Sequence, residues 1–211
     1  MQPRQNRRQP TTPRARFDAD YYARFYDSPA SRVSDRKDVR TLATFVAAYL
    51  RFLDVPVRHI LDIGCGLGHW RDAARTLWPQ AAYHGVEYSE YLCEKHGWTH
   101  GSILDLKPQA TLGRATFDLV VCQSVLQYLD DRAASTAIDN LARWSDGALY
   151  LEVLTAEDWR TNCDRTRTDG NVHLRDGAWY RRRLDRHFRA CGGGVFASDR
   201  AGVILYELEG S

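Results

Sequence analysis

The chain has 211 residues, 44% of them hydrophobic, which suits one globular domain with a full core and leaves little room for a second. A formal net charge of +2 gives no strong bias toward nucleic acid. No apolar run has the length of a membrane span or a secretory signal, and five scattered cysteines suit a reducing compartment. We therefore expect a cytoplasmic protein that does not bind membranes.

The N-terminal region divides into a tail and a helical segment. Residues 1–16 carry five arginines, no acid and almost no apolar side chains, so we predict a disordered basic tail. Residues 17–211 are predicted to form the single domain, beginning with a helical cap over residues 17–54. In the cap, Tyr22, Phe25 and Tyr26 share one helical face.

The most informative stretch follows the cap. An apolar strand over residues 58–63 runs into a turn in which Gly64, Gly66 and Gly68 alternate, with Asp62 before them. Glycines permit a sharp turn and close approach to a ligand, and the following helix offers free N–H groups to it. A dinucleotide fingerprint spaces its third glycine differently. This spacing therefore indicates another nucleotide cofactor.

The second predicted strand, residues 82–87, ends in an acid. Glu87 lies about 20 residues beyond the glycine turn, the placement that a ribose-binding carboxylate needs in such sheets. A carboxylate can accept hydrogen bonds from both ribose hydroxyls. The turn and the acid together favour an adenosine-containing cofactor more strongly than either does alone.

Strands and helices continue to alternate, which predicts a parallel sheet with helices on both faces. A brief strand near residues 98–100, strands over 117–122 and 149–153 and a helix over 131–144 follow in order. Apolar residues from Trp179 to Cys191 recur at helical spacing, which predicts a helix over that span. The runs 195–198 and 203–208 are predicted to form a terminal hairpin.

The pattern Asp62-x-Gly-x-Gly-x-Gly, the acid at Glu87 and the terminal hairpin resemble the class I S-adenosylmethionine-dependent methyltransferases. The resemblance covers about residues 20–209. It implies an α/β fold with a Rossmann-like, seven-stranded, mostly parallel sheet, a C-terminal antiparallel hairpin and helices on both faces. It also implies that the chain is an enzyme with S-adenosyl-L-methionine as its cofactor.

The resemblance assigns cofactor roles position by position. Gly64 and Gly66 would approach the methionine part while Asp62 orders the turn, and Glu87 would bind the ribose. The remaining cofactor positions that it implies are Tyr88 beside the adenine, Ser102 and Ile103 (with Asp105 as a substitute) at the adenine amine, Cys122 and Gln123 beneath the sulfonium, and Tyr22 from the cap.

Acceptor-side residues are expected at the carboxyl ends of later strands. The segment 155–176 is longer than a plain connection needs to be and is predicted to form a substrate lid. His173 is the candidate catalytic base, although a loop histidine bonded to the backbone is the simpler interpretation. The candidate substrate residues are Tyr26, Tyr128, Glu152 and Trp159, and the lid arginines Arg160, Arg165 and Arg167 would suit an anionic acceptor.

These features favour methyl transfer to a small-molecule acceptor. The chain lacks the Asn/Asp-Pro-Pro-aromatic motif of enzymes that methylate exocyclic amines of bases, so nucleic acid is disfavoured. A non-catalytic cofactor-binding protein of the same fold and a protein or RNA methyltransferase remain alternatives. Cys93, His96 and His100 lack the accompanying motifs of a metal site, so no metal is expected. The acceptor atom and the oligomeric state stay open.

Overall fold

A computed structural model describes residues 17–27 and 36–206, and for Tyr26 and Asp27 it describes the backbone alone. The predicted tail, residues 1–16, lies outside this range. The strands in chain order are β1 (His59–Ile63), β2 (Ala82–Glu87), β3 (Thr99–His100), β4 (Phe117–Gln123), β5 (Ser145–Glu152), β6 (Phe188–Gly192) and β7 (Val195–Ser198).

The helices surround these strands. They are α1 (Ala19–Tyr22), which continues as a π-helical turn (Ala23–Asp27), α2 (Arg36–Phe52), α3 (His69–Leu77), α4 (Glu90–His96), α5 (Pro108–Leu112), α6 (Asp131–Trp144), α7 (Ala156–Thr161) and α8 (Gly177–Leu184). Short 3-10 turns cover Leu126–Tyr128 and Asp199–Ala201. Within the described residues, no helix is both long enough and apolar enough to cross a membrane.

Within the described residues one seven-stranded sheet has the order β3-β2-β1-β4-β5-β7-β6. The pairs from β3 through β5 are parallel, and β7 runs antiparallel to both β5 and β6. This arrangement confirms the predicted fold class. Because β1, β2, β4 and β5 are parallel, their carboxyl ends meet at one edge of the sheet, where open α/β sheets bind their ligands.

The sheet is buried on both faces, as its continuous apolar strands require. On one face, Leu61, Val120 and Leu149 pack with side chains of α6 and α8. On the other face, Ile60 and Val121 pack with side chains of α2 and α3. The helices therefore cover both faces of the sheet, and the edge at the carboxyl ends of the strands is where a functional site is expected.

The C-terminal hairpin exists, and its strand β7 is the predicted run 195–198, but its other strand differs from the prediction. Helix α8 ends at Leu184, and Phe188–Gly192, whose first four residues were predicted to be helical, form β6, which pairs with β7. Residues 203–206 are not part of the sheet, and 207–208 lie outside the described residues. A register shift between Ala190 and Gly192 leaves Phe188 and Cys191 both buried. The bulge therefore produces an apolar spacing of three residues that imitates a helix.

Candidate functional site

The turn after β1 adopts the left-handed backbone that its glycines permit. The φ angles are +73° at Gly64, +51° at Gly66 and +80° at Gly68. A Cβ on Gly64 would lie 2.5 Å from Val125 Cγ2, and one on Gly68 would lie 2.8 Å from Trp98 Cζ2. A Cβ on Gly66 would meet nothing nearer than a backbone oxygen at 3.8 Å. The open side of the turn is therefore at Gly66.

Trp98 supports this turn, and the sequence pattern gave no sign of that role. Its indole N–H donates to the Gly66 carbonyl at 2.9 Å, and Arg71 lies over its ring at 4.4 Å from the centroid. The ring also fills the space beside Gly85, where a Cβ would lie 2.7 Å from it. The Trp98 side chain thus stabilises the turn, and Gly85 of the neighbouring strand β2 leaves room for its ring.

Glu87 is buried at the end of β2 and joins the two loops of the cofactor side. Its Oε2 accepts from the Gly66 N–H at 2.9 Å, and its Oε1 accepts from the N–H groups of Tyr88 and Ser89 at 2.8 and 2.9 Å. A carboxylate has about four acceptor positions. Three are occupied, one position on Oε2 remains, and the ribose contact of Glu87 stays a prediction.

Asp62 is fully buried in β1 and accepts a hydrogen bond from the Tyr83 hydroxyl of β2. Burial raises the pKa of Asp62 to about 7; the Tyr83 hydrogen bond opposes this shift, and the Glu87 charge adds to it. This hydrogen bond ties β1 to β2 next to the glycine turn. The ordering of the turn by Asp62, which the resemblance implies, stays a prediction.

An aromatic cap covers the edge between β2 and β4. Phe17 makes edge-to-face contacts with Tyr88, at 6.5 Å between centroids, and with Tyr128, at 5.2 Å. The Phe17 carbonyl accepts from the Ser89 hydroxyl at 2.6 Å, and the hydroxyls of Tyr21 and Tyr128 lie 2.9 Å apart. Helix α1 is thereby fixed over the edge by contacts to both neighbouring loops.

The sequence predicted cofactor and substrate roles for two other residues of this region, Tyr22 and Tyr26. Tyr22 is buried and stacks on Tyr91 of α4 at 6.1 Å between centroids. The side chain of Tyr26 lies outside the description, so its substrate role stays a prediction. Phe17, which precedes α1, and Tyr21 make the contacts to Tyr88 and Tyr128, and the cofactor role of Tyr22 stays a prediction.

The third loop, after β3, holds its own conformation. The Ser102 hydroxyl accepts from the Leu104 N–H at 3.1 Å, and the carbonyl of buried Ile103 accepts from Asn140 of α6 at 2.8 Å. Asp105 is exposed. Ser102 and Ile103 therefore shape this loop, and their contact with an adenine stays a prediction.

The end of β4 separates a core residue from a polar one. Cys122 is completely buried, and burial raises the pKa of its thiol, so it packs as a small apolar group. Gln123 accepts from the Trp70 indole N–H at 2.8 Å and donates to Glu152 of β5 at 3.1 Å. Only Gln123 of this pair offers polar atoms at the edge.

The segment 155–176 folds on itself. Thr155 and Asp158 form a reciprocal capping pair at the start of α7. Arg165 lies over the Trp159 ring at 5.3 Å and donates to the Trp159 carbonyl, while Arg160 pairs with Glu157. These contacts engage Arg160 and Arg165 within the segment itself, which reduces the case for an anionic acceptor. The Trp159 ring also packs against Gly170, as a Cβ there would be 3.1 Å away.

Arg175 anchors the far end of this segment, a role not anticipated from sequence. The buried guanidinium pairs with Asp131 at 2.7 Å and donates to the Tyr180 hydroxyl at 2.9 Å and to the carbonyls of Leu126 and Leu129. The His173 backbone N–H donates to the Gln127 carbonyl at 2.7 Å, and its side chain is exposed. His173 therefore stands beside the 3-10 turn that also carries Tyr128.

Of the cofactor candidates, Gly64, Gly66, Glu87 and Tyr88 lie at the ends of β1 and β2, whereas Cys122 and Gln123 end β4 next to Glu152, the acceptor candidate that ends β5. Among the described residues, no three His, Cys, Asp or Glu side chains form a possible metal site. Gly66, with its open side, and Glu87, with one free acceptor position, fit a nucleoside cofactor.

Comparison with known proteins supports this interpretation. Residues 61–145 match a family model described as a methyltransferase domain. That segment contains the last three residues of β1, the glycine turn, Glu87 and β4. No curated protein matches the chain.

Solved structures share the fold at low sequence identity. Magnesium protoporphyrin IX methyltransferase (ChlM) from Synechocystis PCC 6803, with bound SAH (S-adenosylhomocysteine), has a TM-score of 0.58 at 19% identity over 90% of this chain and 94% of that one. Streptomyces venezuelae DesVI has a TM-score of 0.57 at 19% identity, over 85% and 97%. The plantazolicin methyltransferase BpumL with SAH has 0.55 at 15% identity, over 72% and 63%.

Proposed function

We propose that this chain transfers a methyl group from S-adenosylmethionine to a nucleophilic atom of a small molecule. The match to a methyltransferase domain and the order of the seven strands support the methyltransferase activity. The predicted family, enzyme class and cofactor are confirmed. The choice of a small-molecule acceptor is our inference.

The observation that carries this proposal is that α1 and the segment 155–176 both contact the 3-10 turn Leu126–Tyr128. The α1 cap contacts the 3-10 turn through Tyr21 and Tyr128, and the lid reaches the same turn through His173 and Gln127. The carboxyl edge is therefore bounded on two sides by short contacts. Such an enclosure suits a small acceptor better than a folded protein or a nucleic-acid strand.

Structural relatives agree with a small acceptor. Two of them are described as methyltransferases of magnesium protoporphyrin IX and of plantazolicin. The likeness to ChlM covers 90% of this chain and 94% of that one. We take the class of acceptor from this likeness and leave the individual compound to experiment.

The chemistry asks the protein mainly to position the reactants. S-adenosylmethionine supplies a methyl group already activated by the sulfonium charge. Gly66 and Glu87 would hold the nucleoside and the methionine chain, and Tyr88, Ser102 and Ile103 would surround the adenine. Alignment of an acceptor can contribute about 7–11 kcal/mol to such a reaction.

A base is needed only if the acceptor atom carries a proton that must leave. Glu152 ends β5, and His173 lies beside the 3-10 turn after β4. Tyr128 of that turn contacts Tyr21 of α1. We assign His173 as the candidate base for two reasons. Its side chain is exposed, and its backbone N–H is bonded to the Gln127 carbonyl in the 3-10 turn. A cytoplasmic location is also proposed, since the five cysteines are all free and suit a reducing compartment.

Two lid variants test the proposal. With an acceptor found by screening for SAH release, Trp159→Ala and His173→Ala should lower turnover by about tenfold or more while SAH affinity stays within about twofold, because the nucleoside is bound by β1 and β2. Phe52→Ala, which removes an exposed ring on α2, is the control. Full activity in both lid variants, or loss of SAH binding in them, would refute the assignment of the lid to the acceptor.

A further inference from the structure

Neighbouring side chains converge on one carboxylate at the end of β5. Glu152 accepts hydrogen bonds from Gln123 Nε2 at 3.1 Å, Ser124 Oγ at 3.2 Å and Tyr150 Oη at 3.2 Å. The Trp70 indole N–H, which can only donate, bonds to the amide oxygen of Gln123 and so turns its NH₂ group toward Glu152. The carboxylate is therefore held in one orientation by a network that begins in α3.

The backbone beside this carboxylate is strained. Ser124 has a φ of +57°, a left-handed conformation that costs a residue with a side chain about 1–2 kcal/mol. Its N–H donates to the Glu152 carbonyl at 2.9 Å, and its hydroxyl bonds to the Glu152 carboxylate. Strain of this kind is concentrated at functional sites. Here it places both polar groups of Ser124 on Glu152.

The charge of Glu152 is not compensated by its donors. Gln123, Ser124 and Tyr150 are all neutral, and none of the ion pairs among the described residues includes Glu152. The side chain is exposed, and three of its roughly four acceptor positions are occupied. What remains is a negative charge with one open acceptor position, which suits a cationic hydrogen-bond donor.

Glu152 lies apart from the glycine turn and from Glu87, although Gln123, a cofactor candidate, donates a hydrogen bond to it. It pairs in register with Gln123, and β4 lies between β5 and β1. Two strand spacings amount to about 10 Å from the strand that carries the glycine turn. Glu87, the carboxylate of the cofactor half, lies beyond β1 on β2. Glu152 therefore faces the side that the proposed function leaves to the acceptor.

We propose that the acceptor carries a protonated amine and that Glu152 binds this ammonium group. The inference rests on the proposed function, because it names the chemistry of the acceptor at the same edge. An ammonium group could also come from the amino end of the cofactor's methionine. The distance from the glycine turn favours the acceptor, and the experiment distinguishes the two sources.

The test uses the full chain saturated with SAH and titrates it with benzylamine, benzyl alcohol and benzoate, three probes that differ in charge. Benzylamine should bind more tightly than the alcohol, and benzoate should not bind. Glu152→Gln should weaken benzylamine binding by about tenfold, the worth of one charge-assisted hydrogen bond, and leave SAH affinity within about twofold. Glu152→Asp, which keeps the charge, should lose less. Glu94→Gln, an exposed glutamate on α4, is the matched control.

Each contrary result has a distinct meaning. If Glu152→Gln weakens SAH and leaves benzylamine unchanged, the carboxylate binds the cofactor and the proposal is wrong. If benzylamine fails to bind, or benzoate binds as well as benzylamine, the preference for a cation is wrong. If the wild-type chain does not bind SAH, the proposed function itself fails, which is a separate outcome.

Discussion

Gly66 donates its backbone N–H to Oε2 of Glu87 at 2.9 Å, so the glycine turn after β1 and the acid that ends β2 are one hydrogen-bonded unit. The two features that identified the cofactor in the sequence are thus in direct contact. The same carboxylate also binds two N–H groups of its own loop.

Replacing Glu87 should therefore affect both binding and stability. Glu87→Ala leaves three N–H groups without their acceptor and removes the proposed ribose contact, so we expect SAH binding to weaken by about 1.5–3 kcal/mol and the free energy of unfolding to fall by about 1–3 kcal/mol. Calorimetry and urea unfolding measure the two effects. Glu94→Ala is the control. Unchanged SAH affinity in a folded Glu87→Ala protein would remove Glu87 from the site.

A comparison of two glycines can separate the effect of backbone strain from the effect of a methyl group in the proposed cofactor space. Gly66 and Gly97 have φ angles of +51° and +71°, and a Cβ on either would meet no atom within 3.4 Å. Gly66→Ala and Gly97→Ala should each lower stability by about 1 kcal/mol. Only Gly66→Ala should also raise the SAH dissociation constant, by about tenfold or more, because its methyl group would point into the proposed cofactor space. Equal SAH affinities for the two variants would contradict this placement.

Asp62 makes stability depend on pH. Its pKa rises from 3.8 in a model peptide to about 7 in the fold, so between these values the unfolded chain binds fewer protons than the folded one. The free energy of unfolding therefore falls as the pH rises through this range. Asp62→Asn keeps an acceptor for Tyr83 and removes the effect. From about pH 5 to pH 7.5, the wild type should lose about 2 kcal/mol relative to the variant. Parallel pH profiles in urea unfolding would show that Asp62 does not titrate in this way.

The aromatic cap can be tested by truncation. Removing residues 1–16 should leave SAH affinity within about twofold, since their composition does not supply core contacts. Removing residues 1–27 also deletes Phe17 and Tyr21, which contact Tyr88 and Tyr128, and should speed SAH dissociation by about tenfold or more. Stopped-flow displacement of SAH measures the rate. The cap would have no such role if both truncated chains released SAH equally slowly.

Local patterns predicted the sheet, the glycine turn and Glu87 because each depends on residues close in sequence. Trp98 and Arg175 escaped notice because their roles depend on partners brought together by the fold, the Gly66 carbonyl for one and the turn after β4 for the other. The β6 bulge imitated helical spacing and moved the predicted hairpin. Periodicity chose Tyr22 for the cap, although its neighbour Tyr21 reaches Tyr128.

The central claim is methyl transfer from S-adenosylmethionine to a small molecule, and one labelling experiment tests it most directly. The full chain is incubated with methyl-labelled S-adenosylmethionine and a cell extract, and the label is then measured in the low-mass, protein and RNA fractions. We expect label in the low-mass fraction, with matching release of SAH, and a decrease of both signals in Glu87→Ala. Label confined to protein or RNA, or no SAH release beyond that of the extract alone, would contradict the account.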